Sequence, residues 1–426
     1  MREMKDSGIE WIGSIPKVWR TIPHKYVMHK EKSICEKYNG EDIISLTMNG
    51  VIVRDLTAGG KMPATFDGYQ YVEPDDLLLC LFDIDVTPRC VGIVRNKGIT
   101  SPAYSRFKVH SGYYNKYYDY LLRFIDDEKV FVHLAKNLRN SLTETDFGTI
   151  TTIVPPLPEQ EKIANFLDQK CSEIDALSSE ISGQISNLEE YKKSVITEAV
   201  TKGVRADRTM KDSGVEYNDF IPREWNEAKL KYLVYLRARL GWRGLKADEY
   251  VDNGFIFLSA FNIINNKLDF SEVNYINQFR YDESPEIKLK SGDVLIVKDG
   301  AGIGKCAYVD YMPRESTPNG SLAVITPNDK LYGKYLYYYF LSSMFQERIL
   351  QLKDGMGVPH LFQGDMREIL IPVPNVEEQQ EIANYLDQQC SEVDALIEEK
   401  KEQLATLEEY KKSLIYEYVT GKKEIK

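Results

Sequence analysis

The sequence predicts a mixed α/β chain of the α+β class: two small duplicated domains separated by two long helices that pair as an antiparallel coiled coil. Three observations carry this expectation. A long amphipathic stretch occurs twice, as EQEKIANFLDQKCSEIDAL from Glu159 and as EQQEIANYLDQQCSEVDAL from Glu378. A lead-in also occurs twice, MKDSGIEWIGSIPKVW from Met4 and MKDSGVEYNDFIPREW from Met210. Between each lead-in and its amphipathic stretch lie short apolar runs bounded by turn residues and one Tyr-rich helical run. The repeating unit is about 200 residues long, far beyond the 20–50 of a solenoid, so a whole domain plus a helix is duplicated.

The amphipathic stretches run on to EEYKKSVITEAVTKG, ending at Gly203, and to EEYKKSLIYEYVTGK, ending at Lys422. In the first, Leu167, Ile174, Ile181, Leu188 and Val195 recur every seventh residue. In the second, Leu386, Val393, Leu407 and Leu414 hold the matching places, with Lys400 as the break. A seven-residue apolar period is a coiled-coil seam. A helix of roughly forty residues reaches about 60 Å, and its stripe needs a partner. The other copy is the nearest one.

The lead-ins supply turns at Asp6-Ser7-Gly8 and Asp212-Ser213-Gly214, extended Ile15-Pro16 and Ile221-Pro222, and Trp19 and Trp225 as packing anchors. In the first domain, strands are expected over 42–48, 76–82, 91–94, 104–109 and 150–154, and a helix over 117–126. Pro155, Pro156 and Pro158 break the chain before the long helix. The second domain repeats this order with strands over 255–260, 293–297, 306–309, 321–326 and 368–373 and a helix over 334–341. Met4 returns at Met210 but Glu159 at Glu378, so the second copy is 13 residues longer. The helices are nearly copied while the domains have diverged, as two readers of different targets on one frame would be.

Composition is that of an ordinary soluble chain, 43% hydrophobic and 28% charged over 426 residues. No apolar run is long enough for a membrane span and no signal peptide opens the chain, so a cytoplasmic protein with reduced cysteines is expected. The net charge of −11 is unevenly placed. Residues 20–155 balance 17 basic against 17 acidic groups, and residues 226–374 balance 18 against 18. The acidity lies in the helices, net −4 over 159–203 and −6 over 377–426. Neutral domains still accommodate local basic surfaces.

No catalytic constellation emerges. Asp299-Gly300-Ala301-Gly302-Ile303-Gly304-Lys305 resembles a phosphate loop but has Asp299 at the first Gly place and Cys306 at the Ser/Thr place. A Gly-rich loop between strands that offers Lys298 and Lys305 to a phosphate backbone competes here with a plain turn. Ser101-Pro102-Ala103-Tyr104 lacks the second proline of the amino-methyltransferase tetrad. The five histidines have no metal-ligand spacing, and the acidic pair Asp83 and Asp85 is absent from the second copy. Basic residues do cluster. Arg237, Arg239, Arg243 and Lys246 surround Trp242. Arg89 and Arg106 punctuate the first domain, Lys136, Arg139 and Asn140 precede its last strand, and Lys353 and His360 hold the matching place in the second. Such residues neutralise phosphates or read base edges, although any single one also reads as solvated surface charge.

Taken together, the duplicated KDSG-[IV]-E…IP…W lead-ins, the duplicated EQ…IAN-[FY]-LD…[IV]-DAL…EEYKKS helices and GDVLIVKDGAGIGK resemble the specificity subunit of type I restriction–modification systems, over nearly the whole chain. The first domain departs from the family at the Gly-rich loop. The resemblance implies target-recognition domains over 1–155 and 204–374 and long helices over 156–203 and 375–426. It implies that each domain reads one half of a bipartite double-stranded DNA target. The helices would then set the spacing and dock two methyltransferase subunits, which restriction subunits join. It further implies no catalytic, metal or cofactor site on this chain, with S-adenosylmethionine and ATP on the partners. A coiled-coil interaction scaffold without DNA, a self-contained methyltransferase or nuclease, and a role in a modification-only relative are the competing readings.

Overall fold

The computed structural model describes residues 2–48, 50–57, 63–135, 140–215, 218–238, 245, 249–300, 302–352 and 360–425. They form two compact units. One comprises residues 1–181 together with 402–426, the other residues 182–401. Each unit therefore contains one lead-in and one domain. It also contains the beginning of the long helix that follows that domain, and the end of the other long helix.

In the first unit, Met4–Asp6 (β1) pairs antiparallel with Ser14–Pro16 (β2). Gly8 takes φ +71° between them, and its amide donates to the Asp6 carboxylate at 3.0 Å, which makes the expected turn. Arg20–Pro23 (β3) and Met28–Lys30 (β4) follow, then Ile43–Thr47 (β5), Gly50–Val53 (β6), Gln70–Val72 (β7), Leu77–Leu79 (β8), Val91–Ile93 (β9), Gly98–Thr100 (β10) and Ser105–Val109 (β11). The helices Asn115–Asp127 (α1), Val130–Leu134 (α2) and Glu144–Thr149 (α3) precede Thr151–Val154 (β12). One sheet has the order β4-β11-β8-β9 and the other β6-β5-β10-β7, in which β5 and β10 run parallel. The strand β12 returns to β3. Leu77, Leu78 and Leu79 are all buried, as a continuous apolar run in a strand requires.

Helix Leu157–Lys202 (α4) leads to the second unit. There the lead-in hairpin is Met210–Val215 (β13) with Asn218–Pro222 (β14). The domain contains Asn226–Lys229 (β15), Val234–Ala238 (β16), Phe255–Leu258 (β17), Ile263–Ile264 (β18), Lys267–Leu268 (β19), Asn274–Ile276 (β20), Gln278–Asp282 (α5), Val294–Val297 (β21), Cys306–Tyr308 (β22), Ser316–Pro318 (β23) and Leu322–Pro327 (β24). Gly333–Leu341 (α6), Ser343–Leu352 (α7), Gln363–Glu368 (α8) and Leu370–Val373 (β25) complete it before Val376–Val419 (α9). The sheet β16-β24-β21-β22 repeats the first unit's β4-β11-β8-β9, and the parallel pair β17 and β23 repeats β5 and β10. The strand expected from Glu368 instead starts at Leu370, because Glu368 ends α8, where its exposed carboxylate receives Lys229 and Lys231 at 2.7 Å each.

The long helices, 46 and 44 residues, exceed the expected forty. Within the first unit the start of α4 packs on the end of α9. Leu167, Ile174, Leu414, Ile415 and Val419 share one core, the Phe166 and Tyr418 rings lie 4.5 Å apart, and Lys411 pairs with Asp175 at 2.6 Å. Within the second unit the end of α4 packs with the start of α9. Ile196, Val200, Ile382 and Leu386 share a core, and Lys192 pairs with Asp394 at 2.6 Å. The two ion pairs are the same pair seen from either copy, which is what antiparallel pairing of duplicates requires.

The seam departs from the heptad expectation toward the helix ends. Leu167, Ile174, Ile181, Leu386, Val393 and Leu414 are buried, but Leu188, Val195 and Leu407 are only half-buried. A straight helix turns about 100° per residue, so four heptads leave the nominal place about 80° off its starting face. The next residue lies about 20° from that face. Accordingly Ile196 is buried beyond the half-buried Val195, and Ile415 is buried beside Leu414.

Candidate functional site

Matched polar contacts join domain, lead-in and helix in both units. The indole of Trp19 donates to Glu159 at 2.9 Å, and that of Trp225 donates to Glu378 at 3.1 Å. Arg2 and Arg208 pair with the same two carboxylates. Gln160 accepts from the Tyr114 amide at 2.8 Å and donates to the Pro155 carbonyl. Gln379 does the same for Tyr332 and Pro374. Lys116 and Tyr120 converge on Asp168, as Lys334 and Tyr338 converge on Asp387. The buried Tyr117 hydroxyl donates to the Val419 carbonyl at 2.7 Å, and the buried Tyr335 hydroxyl to the Val200 carbonyl at 3.2 Å. Each Tyr-rich helix thus grips the end of the other repeat's long helix. The Trp anchors lie where the sequence puts them. The Arg–Trp–Glu and Gln contacts were missed, although Arg2 and Arg208 stand at the same offset as the lead-ins.

The basic candidates divide sharply. Arg106 is buried, and its Nε donates to the buried Asp76 at 2.6 Å. Arg237 is buried, and its guanidinium meets the buried Asp293 at 3.3 Å and also Thr326. These two are corrections: both side chains neutralise a carboxylate inside the domain, where an unpaired charge is strongly unfavourable, and neither is available to DNA. Arg89 is largely covered, with Asp127 at 2.9 Å and Asp126 at 3.8 Å. Lys298 is buried and pairs with Asp299 at 2.7 Å. Asn140 takes φ +44°, and its carbonyl accepts from the Ile84 amide. Lys305 is exposed and, with Lys193 of α4, lines a cavity of about 980 Å³ in the second unit. His360 is held by Asp299 and packs edge-on against Phe362, ring centroids 4.5 Å apart. Lys136, Arg139, Arg239, Arg243, Lys246 and Lys353 lie outside the described residues.

Among the described residues no group of His, Cys, Asp and Glu side chains has the arrangement of a metal site. No described helix is long and apolar enough to cross a membrane. All six cysteines are unpaired and buried.

Residues 222–406 match the family model described as the type I restriction modification DNA specificity domain. That match and the relatives below make the chain similar to the specificity subunits of type I restriction–modification systems. It is similar to the MjaVIII specificity subunit of Methanocaldococcus jannaschii, 28% identical over 66% of this chain and 64% of that one, so it spans just under two thirds of that relative's length. It is similar to the EcoBI specificity subunit of Escherichia coli at 22% identity over 99% of this chain and 89% of that one. A chain from a solved structure concerning complex assembly and conformational transition of the type I R-M system shares the fold, with TM-score 0.72, 16% identity and coverage of 96% and 99%.

Proposed function

We propose that the chain is the non-catalytic DNA-recognition subunit of a type I restriction–modification complex, and that each domain reads one half of a bipartite target. One observation carries the division of labour: the two copies share a scaffold down to individual polar contacts, yet differ in their loops. A frame kept while its loops diverge suits two readers of unlike half-sites. Two contacts made from one molecule reinforce each other through local concentration.

The helices are the docking surface for methyltransferase subunits in this reading. Their exposed faces are unchanged between copies at Asn165 and Asn384, Gln169 and Gln388, and Glu173 and Glu392. Leu177 and Leu396 are 45% and 46% exposed, and Tyr191 and Tyr410 are 50% and 55% exposed. Folding gives no reason to keep an exposed leucine at the same place twice, whereas a partner present in two copies does. S-adenosylmethionine and ATP belong to the partners, together with the restriction subunits. Because each domain is electrically neutral over its length, the partners supply much of the basic surface for phosphate contact.

Methylation mapping in cells that carry this chain with its methyltransferase tests the reading. A split, asymmetric modified motif is expected. Methyl transfer or DNA cleavage by the purified chain alone would overturn it.

A further inference from the structure

One place where the two copies match in backbone hydrogen bonding but differ in chemistry is the turn after the buried inner strand, β8 or β21. In the first unit the Leu142 amide donates to the Leu81 carbonyl at 2.8 Å, and in the second the Leu361 amide donates to the Lys298 carbonyl at 2.9 Å. Phe82 and Ser141 beside the first bond therefore correspond to Asp299 and His360 beside the second. Phe82 is 39% exposed and carries no charge. Asp299 and His360 form an isolated antiparallel bridge, and their side chains meet through His360 Nδ1.

The protonation pattern follows from the partners. Lys298 Nζ donates to Asp299 Oδ2 at 2.7 Å, and His360 Nδ1 faces Oδ1. A carboxylate only accepts, so Nδ1 carries the ring proton. In the neutral ring that leaves Nε2 as an acceptor. Among the described residues Nε2 has no hydrogen-bond partner, and the side chain is 37% exposed. Phe362 braces the ring from one side. The result is a partly exposed acceptor, held by Asp299 and braced by Phe362, at a position that the other copy fills with a different chemistry.

We infer that His360, oriented by Asp299 and Lys298, is a base-reading residue of the second domain whose Nε2 accepts a hydrogen bond from an exocyclic amino group, adenine N6 or cytosine N4. This rests on the reading of the chain as a DNA-recognition subunit. An acceptor at this point favours the strand orientation that places the amino group opposite it and disfavours the carbonyl of guanine or thymine.

The test uses the complete complex of this chain with its methyltransferase, comparing wild type with His360→Ala and His360→Gln by motif mapping and by binding to a duplex of the mapped site. His360→Ala is expected to relax one base pair of one half-site, lowering discrimination there by about tenfold or more, and to leave the other half unchanged. At that base pair, replacing adenine by purine or cytosine by 2-pyrimidinone removes only the amino group. It should weaken wild-type binding about tenfold and leave binding by His360→Ala unaffected. His360→Gln, which keeps a polar acceptor, checks that any loss is not misfolding and should retain more discrimination than Ala. Equal losses in wild type and variant on the analogue duplex would overturn the inference. So would relaxation at several positions, or at none. If the wild-type complex modifies no split motif, it is the DNA reading itself that fails.

Discussion

The buried Arg106–Asp76 pair separates a structural arginine from a DNA-binding one. Replacing Arg106 by Met leaves Asp76, which is 1% exposed, as an uncompensated carboxylate inside the first domain. Among the described residues its remaining side-chain hydrogen bond comes from the Glu73 amide at 2.7 Å. Breaking one partner of a buried pair costs about 3–5 kcal/mol. For a unit of this size each kcal/mol lowers Tm by about 2–4 °C, so the first unit's transition should fall by about 6–20 °C. The two units need not unfold together, so hydrogen exchange resolved along the chain is the assay. Protection should drop across β8 and β11 and stay unchanged across β21 and β24. The double variant Asp76→Leu with Arg106→Met removes both charges and should recover much of the loss. A phosphate contact would behave in the opposite way, with stability unchanged and the salt slope of DNA binding shallower by about 0.9. That second result would refute the assignment of Arg106 to the domain interior.

Other perturbations report on other parts of the frame. His24 is fully buried, and burial pushes its pKa from 6.5 down to about 4. The unfolded chain binds a proton there below about pH 6.5 and the folded chain does not, so stability falls as pH drops from about 6.5 to about 4, by about 3 kcal/mol in all. His24→Leu, matching the buried Leu230 of the second copy, should flatten that slope in denaturant titrations run at several pH values. Lys192→Asp should destabilise the second unit by about 1 kcal/mol or less, because the pair with Asp394 is partly exposed, and adding Asp394→Lys should restore it. Leu177→Glu with Leu396→Glu should leave the unfolding curve within about 0.5 kcal/mol of wild type, while sedimentation shows weakened binding of the methyltransferase partner.

The helices were legible because duplication and an apolar period are both local signals. Their ends were less so, since a strict heptad count ignores the slow rotation that buries Ile196 in place of Val195. Strands such as β8 and β21 were legible as apolar runs. The three-residue strands β1, β7 and β10 were not, because so short a segment is extended by its neighbours rather than by its own composition. The arginines misled for a clearer reason. A basic residue reads as surface until its partner is known, and the carboxylates that bury Arg106 and Arg237 lie 30 and 56 residues away. One signal was available: Asp76 and Asp293 open the same apolar strand in both copies, and an acid repeated beside a buried strand calls for a buried cation. His360 was named as a candidate from its place, but its orientation by Asp299 needed the fold.

The most direct test of a doubled reader is to replace residues 20–155 with the corresponding domain of another specificity subunit and map methylation in cells with the same partners. The account predicts a new motif in which one half changes while the other half and the gap between them persist. A motif altered in both halves, or one unchanged by the exchange, would contradict it.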